Sequence, residues 1–221
     1  MTDIQVSPGF ATPFVVRHHP DPTALNTELK ALFLEREGDP RWAEKTPTLT
    51  LKVKLFESEF DVFKWPEPCV QQLKQFCFES LGKTLMQVNG CSPEDLSNLR
   101  IHNHAWFHVT RPGGYMGTHN HPMASWSGVY CVDTGGADAD NADSGVIRFH
   151  DPRISVTMYM DAGNNHLLPP FEPGMRNYQF KPGQLVIFPS FLMHEVAPFT
   201  GDGTRITVAF NAWIKDSRAG G

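Results

Sequence analysis

The sequence predicts a mainly β fold, an antiparallel sandwich or barrel of the jelly-roll kind, buttressed by N-terminal helices. Three observations lead there. Two long stretches in the first hundred residues repeat apolar side chains at helical spacing. From residue 100 the chain breaks into short alternating runs, and those runs are separated by Gly, Pro, Asp and Asn.

The elements follow in chain order. DPTALNTELKALFLEREG (21–38) sets Leu25, Leu29, Leu32 and Phe33 on one face and stops at a glycine. PEPCVQQLKQFCFESLGKTLMQV (66–88) repeats Val70, Leu73, Phe76, Cys77 and Leu81 behind starting prolines. SPEDLSNLR (92–100) opens with Ser92 as N-cap, Pro93 in the first helical position and Asp95 three residues on, a short helix. RIHNHAWFHVTRPGGYM then alternates. Ile101, Asn103, Ala105, Phe107 and Val109 face one way, and His102, His104, Trp106 and His108 the other. RPGGYMGT reads as a Gly-rich turn. SGVYCVDT, GVIRFHDP, ISVTMYM, MRNYQFKPG, QLVIFPS and RITVAFNAWI complete the set of short strands. The acidic loop 133–145 reads as solvated. The loop 161–174, with apolar residues flanked by prolines, reads as a lid over a substrate mouth or as an ordinary Ω-loop. No repeat or linker divides residues 1–221. They form one domain, with 1–99 as helical buttress and first strands and 100–214 as the jelly-roll core.

Composition removes several classes of function. Hydrophobic residues make up 40% of the 221 and charged residues 19%, which excludes a disordered chain. The net charge of −5 argues against nucleic acid or an anionic membrane as main partner, and leaves His-Asn-His at 102–104 poor evidence for a nuclease. The four cysteines, at 69, 77, 91 and 131, have no CxxC pairing and read as reduced thiols. With no secretory leader and no apolar stretch of membrane-spanning length, the expectation is a cytoplasmic protein. The apolar N-terminal helices suggest a homodimer.

Half of the ten histidines fall between 102 and 121. Side chains at i and i+2 of a strand face the same way, so either His-x-His pair can present two imidazoles to one point. His102 and His104 lie within an alternating run, where a polar sheet face is the simpler account. His119 and His121 stand where a strand meets a loop, a common place for a site. His194 follows the strand QLVIFP, and eleven residues later Arg205 and Thr207 share one face of RITVAFNAW. A charge in so apolar a strand demands a partner.

This ordered set resembles the Fe(II)/2-oxoglutarate-dependent oxygenases, in particular a bacterial and phage group with H-x-H-P…S-G-V-Y-Y-V. The matching residues are His119, His121, Pro122, Ser127, Gly128, Val129, Tyr130 and Val132, with Phe149 to Arg153, 182–198 and 205–211 as further matches. The likeness covers residues 106–213 and implies a double-stranded β-helix. It implies Fe(II) held by His119 and His194, with His121 where the family usually has a carboxylate. The third ligand is then His121, which we favour, or a carboxylate brought from Asp151, Asp133 or Glu195. It further implies 2-oxoglutarate paired with Arg205 and hydrogen-bonded by Thr207, with Tyr130 and Asn103 as additional contacts. The implied reaction uses O2 to hydroxylate a C–H bond of a small molecule or peptide while 2-oxoglutarate becomes succinate. Two rivals remain: a three-histidine cupin-like dioxygenase that needs no 2-oxoglutarate, and a non-catalytic metal-binding jelly-roll module.

Overall fold

Among the described residues, proline occupies the first position of all three α-helices, where its missing N–H costs nothing and its fixed φ favours the first turn. These are α1 (Pro22–Glu37), α2 (Pro68–Asn89) and α3 (Pro93–Asn98). In α3 the Ser92 hydroxyl accepts from the Asp95 N–H while the Asp95 carboxylate accepts from the Ser92 N–H, a reciprocal cap. α2 ends at Gly90, whose φ of +68° lies in the left-handed region.

The computed structural model describes residues 4–46, 48–136, 140–153 and 159–218. Its strands are β1 (Val15–His18), β2 (Lys52–Glu57), β3 (Leu99–His119), β4 (Trp126–Thr134), β5 (Ile147–Phe149), β6 (Arg176–Tyr178), β7 (Gln184–Pro189), β8 (His194–Val196) and β9 (Arg205–Asp216). They pair in the order β1-β7-β4-β9-β3-β8-β5-β6, with β2 also on β3, and the ladders between them are antiparallel. The sheet curls because β3 turns a corner. Its first half pairs with β9, from Leu99↔Asp216 to Thr110↔Arg205, and its far end pairs with β8 at His119↔His194. This is the double-stranded β-helix.

The corner corrects one expectation. RPGGYMGT is not a turn; it lies within β3. Gly113 takes φ +81°, and a Cβ at Gly114 would stand 2.6 Å from the Thr110 methyl and 2.7 Å from the Lys54 carbonyl. The two glycines bend the strand and keep it continuous. The first strands expected within 1–99 are β1 and β2, which the sequence reading does not place, and the short β8 is not named there as a strand. Of the strand expected at ISVTMYM, residues 154–158 lie outside the described residues, as do 137–139 of the acidic loop.

Alternation sorts the sheet into two faces. Outward side chains such as Phe107, Tyr130, Leu185 and Phe210 meet Leu25, Leu29 and Phe33 of α1 and Val70, Leu73 and Leu81 of α2 in one core. Phe33 stacks on Phe107 with centroids 4.3 Å apart. The helical faces that suggested a homodimer are thus buried within the chain. A second core, with Cys131, Phe149, Val186 and Phe188, fills the inside of the curled sheet. The site opens from that inner face.

Candidate metal centre

His119 ends β3 and His194 begins β8, and their register pairing sets the two imidazoles 4.3 Å apart, centroid to centroid. His121 follows β3 in a turn pinned by its N–H donating to the Ser190 carbonyl at 2.9 Å. Its ring lies 5.2 Å from His119 and 5.3 Å from His194. One nitrogen from each of the three falls within 4.8 Å of the others, and among the described residues this cluster includes no carboxylate.

The backbone sets the ring orientations. His119 Nδ1 lies 2.8 Å from the Gly117 carbonyl and His194 Nδ1 lies 2.9 Å from the Leu192 carbonyl. A carbonyl only accepts, so each Nδ1 carries its proton and each Nε2 keeps a bare lone pair. Burial among Phe149 and Phe188, at 5.6 and 5.1 Å from the His194 ring, favours the neutral form. It pushes His194 well below the usual imidazole range, lowers His119, and brings His121 to about 3. Three neutral nitrogen donors, two of them of fixed tautomer, suit a divalent transition metal.

The carboxylates considered as a third ligand are engaged elsewhere. Asp151 accepts from Arg153 at 2.7 and 3.0 Å and from the Gly174 N–H. Asp133 pairs with Lys30 at 2.6 Å and caps Gly135. Glu195 accepts from the Thr118 hydroxyl at 2.7 Å.

Arg205 and Thr207 lie on the inner face of β9, 5% and 2% exposed. Among the described residues, the Nη2 of Arg205 is buried without a hydrogen-bond partner. So is the hydroxyl of Thr110, which stands opposite Arg205 in the β3–β9 ladder. Two such donors at paired positions could receive a carboxylate, and burial lowers the guanidinium pKa. Thr110 escaped the sequence reading although its parity with His108 was visible. Tyr130 is corrected: it faces the helices, and its hydroxyl donates at 2.8 Å to Asn26, whose amide donates to the Val132 carbonyl. Its neighbours Val129 and Cys131 take the inner face.

A cavity of about 440 Å³ opens beside His119 and His121, with Trp106, His108, Asn211 and Trp213 in its wall. Glu57, from β2, also lines it, and its carboxylate lies 2.8 Å from His108 Nε2 while its other oxygen pairs with Lys52. Burial raises this carboxyl, but the hydrogen bond and charge of His108, followed by those of Lys52, outweigh it and hold the group at about 2. The loop 161–174 does not cover this mouth. Pro169, Pro170 and Glu172 wall a different cavity with Phe10 and Phe14.

Residues 104–211 match a family model described as "Putative 2OG-Fe(II) oxygenase". No curated protein sequence matches the chain. Among solved structures, a prolyl-4-hydroxylase of Pseudomonas putida superposes with a TM-score of 0.60 at 17% identity, covering 91% of this chain and 92% of that one. A Trichoplax adhaerens prolyl hydroxylase, in complex with a hypoxia-inducible-factor peptide fragment, gives 0.58 at 13% identity over 93% and 84%. HygX of Streptomyces hygroscopicus, with nickel, 2-oxoglutarate and hygromycin B bound, gives 0.57 at 12% over 91% and 83%. At these identities the likeness is one of fold.

Proposed function

The chain belongs to the Fe(II)- and 2-oxoglutarate-dependent oxygenase superfamily, and from that premise we propose that His119, His121 and His194 hold the iron, that Arg205 with Thr110 and Thr207 receives the far carboxylate of 2-oxoglutarate, and that the reaction hydroxylates a C–H bond of a small molecule or peptide side chain. The observation that carries this reading is the pairing of a carboxylate-free histidine cluster with an unpartnered buried arginine on one inner face. We also propose that residues 1–221 work as one domain, since α1 and α2 share a core with the metal-bearing sheet. The four free cysteines favour a cytoplasmic setting.

Bound iron supplies the activation of dioxygen, coupled to decarboxylation of 2-oxoglutarate to succinate. The protein's part is orientation and dryness. The Gly117 and Leu192 carbonyls hold two ligand rings by their Nδ1 protons, leaving Nε2 of each for the metal. Arg205 fixes one end of the cosubstrate by charge and by its planar fork, with the threonine hydroxyls adding donors. Phe149 and Phe188 close the space behind His194 to water. Three neutral imidazoles leave the metal its full +2 charge, where a carboxylate ligand would reduce it by one.

The test is anaerobic Fe(II) titration of metal-free protein with and without 2-oxoglutarate, watching for the weak visible charge-transfer band of the chelate. The band is expected only with both present. Iron binding with no band at any cosubstrate concentration would overturn the reading in favour of a three-histidine dioxygenase, which the carboxylate-free cluster also suits. Tyr130→Phe separates fold from site. It leaves Asn26 short of a donor and costs about 1–2 kcal/mol of stability by thermal melting, with the 2-oxoglutarate titration unchanged.

A further inference from the structure

Five rings line the cavity as a continuous row. Trp213 at the rim meets His104 at 4.9 Å, His104 lies parallel to Phe60 at 6.1 Å, Phe60 meets Trp106 at 5.0 Å, and Trp106 meets His121 at 5.6 Å. The rings touch one another edge to face, tilted or in parallel, so they make a wall rather than a box around a cation. The charges beside them are already neutralised, because both oxygens of Glu57 are engaged, by Lys52 and by His108. A charged group entering here would lose its water and gain no counter-charge.

Among the polar groups that line the cavity, two stand beside the rings. His108 lines the cavity with Nε2 between Glu57, at 2.8 Å, and the indole nitrogen of Trp106, at 3.1 Å. The ionised carboxylate is the stronger partner and keeps the proton on Nε2, so the indole N–H of Trp106, which only donates, points at that nitrogen without a bond to it. Nδ1 is left as an acceptor with no hydrogen bond from the described residues and is not among the sealed, unpartnered atoms. Asn211, the register partner of His104, accepts from the Ser127 hydroxyl at 2.7 Å through Oδ1, which leaves its NH2 as a donor in the wall. The volume of about 440 Å³ falls at the lower end of the range for small-molecule sites.

Resting on the oxygenase reading, we propose that the substrate of this site is an uncharged, flat aromatic or heteroaromatic small molecule, stacked along the Trp213–Phe60–Trp106 wall and read by His108, which Glu57 positions, through a ring hydroxyl or N–H. The wall leads such a ring to the metal ligand His121. Nonaromatic hydroxyl compounds have the donor but nothing to stack with. Peptides have many donors and no single flat face.

The test is calorimetric titration of the full chain, loaded anaerobically with Fe(II) and 2-oxoglutarate and repeated metal-free. The probes are 5-hydroxyindole, indole, indole-3-acetate, tryptamine, cyclohexanol and end-blocked Gly-Pro-Gly. 5-Hydroxyindole is expected to bind about fivefold to tenfold more tightly than indole, the worth of one hydrogen bond. The anion, the cation, cyclohexanol and the tripeptide are expected to bind at least about tenfold more weakly than indole, as an uncompensated desolvation or a lost stack implies. His108→Phe is expected to keep indole binding and bring the hydroxyl preference to about one, a ratio that general loss of folding does not alter. Trp213→Ala, at the half-exposed rim, is expected to weaken both indoles alike. Overturning results are no binding of either indole, binding of a charged, nonaromatic or peptide probe as tight as indole, or an unchanged hydroxyl preference in His108→Phe. The same samples report the charge-transfer band. Its absence with the probe preferences intact defeats the oxygenase reading alone, and its presence with the preferences missing defeats the substrate class alone.

Discussion

Arg205→Met is expected to yield a metal-free chain more stable than the original, and one whose iron-loaded form 2-oxoglutarate no longer stabilises. The side chain is 5% exposed and carries a buried Nη2 with no partner. A charge left in that state costs stability, and an apolar side chain of similar length removes the cost, for a gain of about 1–3 kcal/mol, a few degrees in melting temperature. Cosubstrate at about a hundred times its dissociation constant should add about 2.7 kcal/mol to the iron-loaded parent protein and almost nothing to the variant. Anaerobic melting curves with and without 2-oxoglutarate read both effects. A variant that melts lower when metal-free would show that the guanidinium already has its partner. An undiminished gain from 2-oxoglutarate would place the cosubstrate elsewhere.

His194→Ala is expected to lose iron altogether, with turnover down at least about 10³-fold. Its ring is 4% exposed, held by the Leu192 carbonyl and faced by His119 at 4.3 Å. The informative partner is His121. His121→Ala should shed iron on dialysis, whereas His121→Asp should keep it, because an aspartate there restores the two-histidine, one-carboxylate set and lowers the charge of the centre by one. Metal content after dialysis decides. Full iron in His194→Ala would dismiss the ligand assignment. Full iron in His121→Ala would point to a third ligand outside the histidine cluster.

What could be read from the chain, and what could not, follows from range. The helices announced themselves through local spacing and caps, as at Pro68, Ser92 and Gly38, because those signals lie within a few residues of each other. The three histidines were visible as an ordered pattern, and the structure brings them to one point. Tyr130 was misplaced because a motif records adjacency and not facing. Counting parity from Cys131, which shares the inner face with Thr207, would have turned it toward the helices. Glu57 and Phe60 reach the cavity from a segment with no motif of its own, through a pairing of β2 with β3 that only folding reveals. RPGGYMGT shows the limit of composition: glycines enough for a turn serve here to bend a strand that its partners on both sides keep extended.

That bent strand governs how the metal centre can come apart. His119 and His194 are register partners across the β3–β8 ladder, so an opening that swings His119 away breaks the bonds that hold His194 in line. The same strand is clamped along its first half by β9, which carries Arg205 opposite Thr110. Fraying His119 and His194 one at a time is therefore closed to this ladder. With the ligands and the 2-oxoglutarate cradle as proposed, the two sites are expected to open as a single cooperative unit, so that loss of iron through this strand also loosens the grip on 2-oxoglutarate.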